Sequence, residues 1–184
     1  MEFIKQNQII IIVIAVIVLL IIIYNAMLKK RNKVKTAFSS LDVILKKRYD
    51  LMPNLASMVQ KYMTHESDLL TKLTELRAKV KNTNDINESV ELNNEIDNTI
   101  RKLNVSVEGY PELKSNQNVL HMQAVLNDIE EQISAARRTY NAHVESYNTF
   151  IGFIPMNLFA LIFRFKQYKL FEITNEEREN KIWM

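Results

Sequence analysis

The sequence predicts an all-α protein in which an N-terminal transmembrane helix precedes an antiparallel, coiled-coil-like bundle of three to four long helices. Only two glycines and three prolines occur in 184 residues, so few residues interrupt helices. A long aliphatic run lies near the N-terminus, and apolar residues recur at helical spacing through most of the remaining chain. Residues 30–150 show no alternating pattern of the kind that predicts a strand.

These patterns divide the chain into five parts. Residues 1–8 are a short extracytoplasmic tail, residues 9–28 are the transmembrane helix, and residues 29–151 are a cytoplasmic helical bundle. Residues 152–172 form an aromatic amphipathic segment, and residues 173–184 form a polar C-terminal tail.

The transmembrane prediction depends on residues 9–28, which are aliphatic except for Tyr24 and Asn25. Twenty helical residues are about 30 Å long, which matches the hydrocarbon core of a bilayer. A cleaved signal peptide is the first alternative, but no pair of small residues marks a cleavage site after residue 23. A buried core helix is the second, although core helices of this length usually carry a polar face. We therefore expect a retained signal-anchor helix.

The basic residues of the chain are concentrated directly after this helix. Residues 28–35, the basic octet, contain Lys29, Lys30, Arg31, Lys33 and Lys35. Residues 36–184 carry 18 basic and 20 acidic side chains, so the positive net charge of the chain does not indicate a nucleic-acid-binding domain. Cationic flanks stay on the cytoplasmic side, which predicts an outside N-terminus and an inside bundle. The octet is either a topology signal only or also a site for anionic lipid headgroups.

A heptad seam runs from residue 34 to residue 80 and contains Pro53. Proline removes one helical hydrogen bond, so either the helix kinks there or residues 49–54 form a turn between two helices. Two further apolar seams cover 86–107 and 119–151, separated by the helix-ending Gly109-Tyr110-Pro111. Ser115 or Asn116 is the expected cap of the last helix, which spans about 36 residues.

Two charged residues, Arg48 and Glu66, fall on the first seam. A charge at such a position is unfavourable unless it is paired. Either each side chain extends to the rim of the bundle, or the two set helix register or pair with a second subunit. Arg137 and Arg138 follow two alanines on the third seam, and we expect them to form surface ion pairs.

The segment from residue 150 to residue 171 contains six of the eight phenylalanines and no acidic residue. An aromatic and basic segment of this kind suits a membrane interface or a self-association surface. The two alternatives are closure of the bundle core and a second membrane span, which Pro155 and Asn157 disfavour. The residues expected at the interface are Phe150, Phe153, Phe159, Phe163 and Phe165.

The sequence offers no convincing catalytic, cofactor or metal site. It has no cysteine, and its two glycines are too far apart for a phosphate-binding loop. None of His65, His121 and His143 has an acidic residue three positions before it, and none has a second histidine four positions after it. His65 and Asp68 could share a helix face, but two ligands make only a weak metal site. We interpret the histidines as exposed or hydrogen-bonded, and we expect no enzyme activity, cofactor or small-molecule substrate.

Several blocks of sequence resemble the LemA family of bacterial membrane proteins. The similarity runs from about residue 22 to residue 172 and includes Leu51-Met52-Pro53-Asn54-Leu55, Tyr110-Pro111-Glu112-Leu113-Lys114, Ala135-Ala136-Arg137-Arg138-Thr139-Tyr140-Asn141 and Pro155-Met156-Asn157. The resemblance implies one N-terminal transmembrane helix in the cell membrane and a cytoplasmic bundle, and at Pro53 it favours a four-helix bundle. It implies no reaction.

These observations together predict a non-enzymatic scaffold or membrane-organising module at the cytoplasmic face. Its expected partners are the lipid bilayer, further copies of the chain or other membrane proteins, and nucleic acid is not among them. The alternative is an adaptor or regulatory subunit of a membrane protease or transporter.

Overall fold

The computed structural model describes residues 2–63, 66–107 and 109–172, and all regular structure in these ranges is helical. The predicted polar tail 173–184 and His65 lie outside them. The helices are α1 (Glu2–Val59), α2 (Ser67–Asn82), α3 (Ile86–Val107), α4 (Pro111–Ser115), α5 (Gln117–Gly152) and α6 (Met156–Ile162). The all-α prediction is confirmed.

Helix α1 is continuous for 58 residues, or about 87 Å. Its first part, residues 9–28, is here called the apolar segment; its side chains are mostly exposed, and α1 is the one described helix long and apolar enough to cross a membrane. The prediction of a turn over residues 49–54 is wrong, because Pro53 lies inside α1. The other alternative, one helix that kinks at Pro53 and follows the seam to residue 80, is wrong as well, since α1 ends at Val59 and α2 begins at Ser67.

The remainder of α1 packs against α2, α3 and α5. On α1, Lys30 contacts Ser146 and Arg48 contacts Glu130; just beyond the end of α1, Tyr62 contacts Asn116, which directly precedes α5. The residue numbers of these partners fall along α5 as they rise along α1. Helix α2 contacts the C-terminal part of α1 through Lys81 and Asp50, whereas the middle of α3 supplies two of the partners of Arg48.

Two apolar clusters form the core. The larger one extends from the end of the apolar segment to the middle of the bundle, and its fully covered members include Met27, Leu41, Leu45, Ile96, Ile133, Tyr140 and Tyr147. The smaller one closes the far end, where Val59, Met63 and Leu113 are almost completely buried. Because each large apolar side chain contributes about 1.5–3 kcal/mol when buried, these seams stabilise the helices only as a packed group.

The helix ends follow the sequence signals. Helix α3 ends at Val107 shortly before Gly109, and Pro111 begins α4. The side chain of Asn116 accepts hydrogen bonds from the backbone N–H groups of Asn118 and Val119, so Asn116 is the cap of α5. Helix α5 has the expected length of 36 residues.

The segment after α5 is not a second membrane span. It consists of a short connection, the seven-residue helix α6 and an extended stretch that follows Arg164. We call residues 153–163 the aromatic turn and residues 164–172 the strap. Arg164 has a positive φ of 56°, a conformation that redirects the chain where the strap begins.

Pro53 leaves the Tyr49 carbonyl without its usual helical donor, because proline has no N–H. The Nε–H of Arg77 on α2 donates to this carbonyl at 2.8 Å. A side chain of α2 therefore replaces the missing hydrogen bond of α1. This contact explains how α1 continues through Pro53 and why α2 docks at this level.

Arg77→Ala is expected to lower the free energy of unfolding by about 1–2 kcal/mol, because the Tyr49 carbonyl loses its donor. In a Pro53→Ala background residue 53 supplies an N–H, and the Arg77 substitution is expected to cost about 1 kcal/mol less. Denaturant unfolding of the full-length variants in detergent measures both costs. Arg101→Ala removes an exposed arginine as the control. Equal costs in the two backgrounds would contradict the pairing.

Candidate interaction site beside the apolar segment

The aromatic turn packs one face against the end of the apolar segment. Tyr24 of α1 makes edge contacts with the rings of Phe163 and Phe165, with centroids 5.2 and 5.9 Å apart. Ile23 and Met27 are buried in the same cluster, whereas most earlier residues of the apolar segment are exposed. The turn therefore lies at the level where the apolar segment meets the bundle.

The other face of the aromatic turn is apolar and open. Ile154 is 83% exposed and Leu161 is 79% exposed, and the surface also includes Phe153, Leu158 and Ile162. Residues 153–163 contain no charged side chain. Exposed apolar patches of this kind are typical of surfaces that contact a membrane or another protein.

The five predicted interface phenylalanines have different environments. Phe153 and Phe163 are exposed, and Phe150 and Phe159 are partly buried against the larger cluster. Phe165 is buried beneath the guanidinium of Arg31, whose central carbon lies 4.9 Å from the ring centroid. Its assignment to an interaction surface is therefore wrong, because the strap folds it into the core.

The basic octet begins where the apolar segment ends, and its residues divide into two groups. Lys30 donates to Ser146 at 2.9 Å and lies over the ring of Phe150, and Arg31 covers Phe165. Lys29, Lys33 and Lys35 are exposed. The octet thus supplies both packing contacts to the bundle and cations at the surface.

The strap is held by side chains that bind its backbone. Asn148 on α5 donates to the Tyr168 carbonyl and accepts from its N–H, and Asn141 binds Phe171 in the same two-bond manner. The hydroxyls of Tyr147 and Tyr140 donate to the carbonyls of Lys166 and Lys169. These bonds fix an extended chain across the helices, as a neighbouring strand would in a sheet.

Helix α3 binds the same strap from the other side. Asn87 donates to the Gln167 carbonyl and accepts from the Lys169 N–H, and Asn94 accepts from Glu172. Lys169 also forms an exposed ion pair with Glu91. The alternative of core closure therefore applies to the strap, whose Phe171 is almost completely buried.

Arg48 lies at the centre of the bundle and is fully buried. Its Nη1 donates to Asp97 on α3 at 2.7 Å and to Glu130 on α5 at 3.0 Å, and its Nη2 donates to Asn93 at 3.0 Å. The side chain does not extend to the rim. Its partners belong to two other helices of the same chain, so the contacts fix the relative position of α1, α3 and α5.

A second buried arginine completes this cluster. Arg137 on α5 forms an ion pair with the other carboxylate oxygen of Asp97 at 2.6 Å, without the alignment of a hydrogen bond. The prediction of a surface ion pair is wrong for Arg137, because α5 turns it toward α3. Burial lowers the pKa of Arg48, but Asp97 and Glu130 raise it more strongly, and the net result is a raised pKa.

The prediction that Glu66 lies on the first heptad seam is wrong. It precedes α2 at the turn after α1, and its carboxylate accepts a hydrogen bond from the Tyr110 hydroxyl at 2.8 Å. The seam ends because the chain turns between Val59 and Ser67. Glu66 therefore joins two connections at the far end of the bundle.

The histidines do not meet at a metal site in the described part of the chain, where no group of three or more potential ligands occurs. His121 is exposed, and His143 is half-buried on α5 near the basic octet.

Sequence reasoning missed the asparagines that hold the strap and the acid that pairs two arginines. A signal existed for the first group, since Tyr-Asn occurs at 140–141 and again seven residues later at 147–148. Asn87 and Asn94 have the same spacing. Polar residues that repeat every seven positions lie on one helix face and indicate an extended polar partner. Asp97 carried no such signal, because its partners come from distant segments.

Asp97→Asn is expected to lower the free energy of unfolding by about 3–5 kcal/mol, because Arg137 then loses its carboxylate partner and Arg48 keeps only Glu130. Glu91→Gln, which breaks the exposed ion pair with Lys169, is the matched control and is expected to cost less than about 1 kcal/mol. Denaturant unfolding in detergent measures both. Similar losses for the two variants would show that the buried cluster is not a major source of stability.

The buried tyrosines predict that the fold loses stability at alkaline pH. Burial raises the pKa of Tyr49 and that of Tyr147 to about 12. The folded protein therefore keeps protons that the unfolded chain releases near pH 10. This stabilisation is complete below about pH 10 and is lost as the pH rises toward 12. A Tyr49→Phe/Tyr147→Phe variant is expected to show a shallower decline in unfolding midpoint above pH 10, and an unchanged decline would contradict the assignment.

Comparison with known proteins identifies the family. The chain matches the LemA family over residues 37–182. It is 27% identical over 155 residues to Protein LemA of Metamycoplasma hominis, an alignment that covers 84% of this chain and 71% of that protein. Over 75 residues it is 35% identical to Magnetosome protein MamQ 2 of Paramagnetospirillum magneticum, which covers 41% of this chain and 28% of the relative.

A similar match, 34% identity over 74 residues, links the chain to Magnetosome protein MamQ of Magnetospirillum gryphiswaldense and covers 40% of this chain and 27% of that protein. The chain thus spans less than a third of either magnetosome protein. The family match, in contrast, covers most of the chain, from α1 through the strap. The protein therefore belongs to the LemA family.

Proposed function

We propose that this LemA-family protein is a non-enzymatic, single-pass membrane protein whose helical bundle acts as a scaffold at the cytoplasmic face of the cell membrane. The apolar segment spans the bilayer, and the bundle presents its surface to further copies or to other membrane proteins. The observation that carries the proposal is the open apolar face of the aromatic turn, which lies directly beside the end of the apolar segment.

The aromatic turn is placed by this proposal in the cytoplasmic headgroup region. Ile154, Leu158 and Leu161 would be exposed to water if the turn faced the cytosol, and each large apolar side chain gains about 1.5–3 kcal/mol when it leaves water. The chain returns to the bundle at Arg164, the first charged residue after the turn. A short apolar stretch followed by basic residues suits the boundary between headgroups and acyl chains.

The charge distribution supports the orientation. Five basic residues follow the apolar segment directly, whereas Glu2 and Lys5 balance each other before it. Basic flanks remain cytoplasmic, so residues 29–172 belong on the inner side. The opposite numbering of contacts along α1 and α5 supports an antiparallel four-helix bundle made of α1, α2, α3 and α5.

The bundle is suited to a scaffold because charge contacts within the chain hold its helices together. Arg48 and Arg137 both pair with Asp97 inside the bundle, and these contacts join α1, α3 and α5. Phe153 and Phe163 are exposed at the edge of the aromatic turn. In the plane of a membrane, these rings are available to neighbouring proteins as well as to lipid.

Single cysteines test this function, because the natural chain contains none. On intact cells, a membrane-impermeant thiol reagent is expected to label Gln6→Cys but to label Ser115→Cys only after permeabilisation.

In vesicles, a fluorophore on Leu161→Cys is expected to be quenched by a lipid-borne nitroxide. Particles purified from crosslinked native membranes are expected to contain more than one copy or a second membrane protein.

Val105→Cys is the control for lipid quenching, since Val105 is an equally exposed aliphatic residue on α3 of the bundle. Equal quenching at the two positions would contradict the location of the aromatic turn. Labelling of Ser115→Cys on intact cells would reverse the topology. A strict monomer without crosslinked partners would exclude the scaffold role.

A further inference from the structure

A groove lies between α1 and α5 just below the end of the apolar segment. Its main cavity has a volume of about 710 Å³, and a smaller cavity of about 260 Å³ adjoins the same residues. Lys29, Lys33 and His143 line both cavities. The groove exists because Ala37 on α1 and Ala136 on α5 are small residues on its lining, where larger side chains would occupy the space.

The groove is electropositive and rich in hydrogen-bond donors. None of the residues that line the two cavities is acidic. The side chains of Lys29, Lys33 and His143 form no hydrogen bond or ion pair within the ranges that the structure covers. Lys30, in contrast, is engaged by Ser146 and Phe150. Two unpaired ammonium groups, an imidazole and the Thr36 hydroxyl therefore line one concave surface, which is an arrangement that binds an anion.

The position of the groove relative to the apolar segment indicates the kind of anion that it binds. Lys29 and Lys33 follow the apolar segment by one to five residues, which is within about 8 Å along α1. The headgroup layer of a bilayer is about 5–8 Å thick on each side, so both lysines lie at headgroup depth when residues 9–28 span the membrane. The membrane end of the groove is lined by Ala26, Leu28 and Phe150, which suit the glycerol and first acyl carbons of a lipid.

We propose that this groove binds the phosphate of an anionic phospholipid from the cytoplasmic leaflet. Lys29 and Lys33 neutralise the phosphate, and His143 and Thr36 donate hydrogen bonds to its oxygens or to the polar headgroup. The bound lipid then bridges α1 and α5 at the level of the membrane surface. The inference rests on the proposed membrane location of the apolar segment, but binding itself is measurable in detergent, where topology plays no part.

Native mass spectrometry of the full-length protein in a mild detergent tests the site, with phosphatidylglycerol and phosphatidylcholine as probes. The wild-type protein is expected to retain phosphatidylglycerol preferentially. Lys29→Gln/Lys33→Gln is expected to weaken this binding roughly thirty-fold, since each lysine near an anionic lipid contributes about fivefold. Thr139→Phe fills the groove from an exposed position without a change in charge and is expected to weaken it by about tenfold or more.

Lys35→Gln/Lys47→Gln is the matched control, because it removes the same charge from two exposed lysines that do not line the groove. It is expected to change binding by less than about threefold. If the two double variants weaken lipid binding equally, the lipid is attracted by the whole basic surface and the proposal is overturned. Undiminished lipid binding by Thr139→Phe would overturn it as well. Displacement of the lipid by an equal concentration of inorganic phosphate would overturn it too, by assigning the groove to a soluble anion.

Thermal unfolding of each variant separates loss of binding from loss of fold. Failure of the lipid assay with normal cysteine labelling would leave the scaffold function intact. Normal lipid binding with Ser115→Cys labelled on intact cells would instead refute the orientation and keep the groove as an anionic lipid site.

Discussion

The buried guanidinium of Arg48 imposes the main constraint on this fold. A fully buried cation is unfavourable without carboxylates close by, and Arg48 obtains them from α3 and α5, through Asp97 and Glu130. Asp97 also pairs with Arg137, so one carboxylate serves arginines on two helices. Apolar seams alone permit helices to slide by one turn, whereas these charge contacts are satisfied in one alignment. The cluster therefore gives the bundle its register.

Side chains also form hydrogen bonds with backbone N–H and C=O groups that have no partner within a helix. Arg77 donates to the carbonyl that Pro53 leaves free, and Asn141 and Asn148 bind the strap as a neighbouring strand would. An extended chain on a helical surface has no intrinsic partners, so its exposed N–H and C=O groups require such donors and acceptors. The asparagine amide suits the task because it carries one acceptor and two donors in the geometry of a peptide group.

The overall fold follows from the sequence because periodicity and helix signals are local. The spacing of apolar residues gave α3 and α5, and Gly109, Pro111 and Asn116 marked their ends. The end of α1 is harder to predict from the sequence, because the heptad pattern continues through the turn between Val59 and Ser67. For a related reason the sequence alone predicts surface positions for Arg137 and Phe165, since their burial depends on the approach of α3 and the strap.

The continuity of α1 links the apolar segment to the core of the bundle. One helix contains the apolar segment, the basic octet and Arg48, so no hinge within α1 separates the proposed membrane span from the charged cluster. The aromatic turn and the strap make a second connection, because Phe165 packs near Tyr24 while Phe171 packs against Tyr140 further down α5. Two connections restrict tilting of the bundle relative to the apolar segment more than a single helix does. A rigid bundle at a fixed distance from the bilayer is what a scaffold at the membrane surface requires.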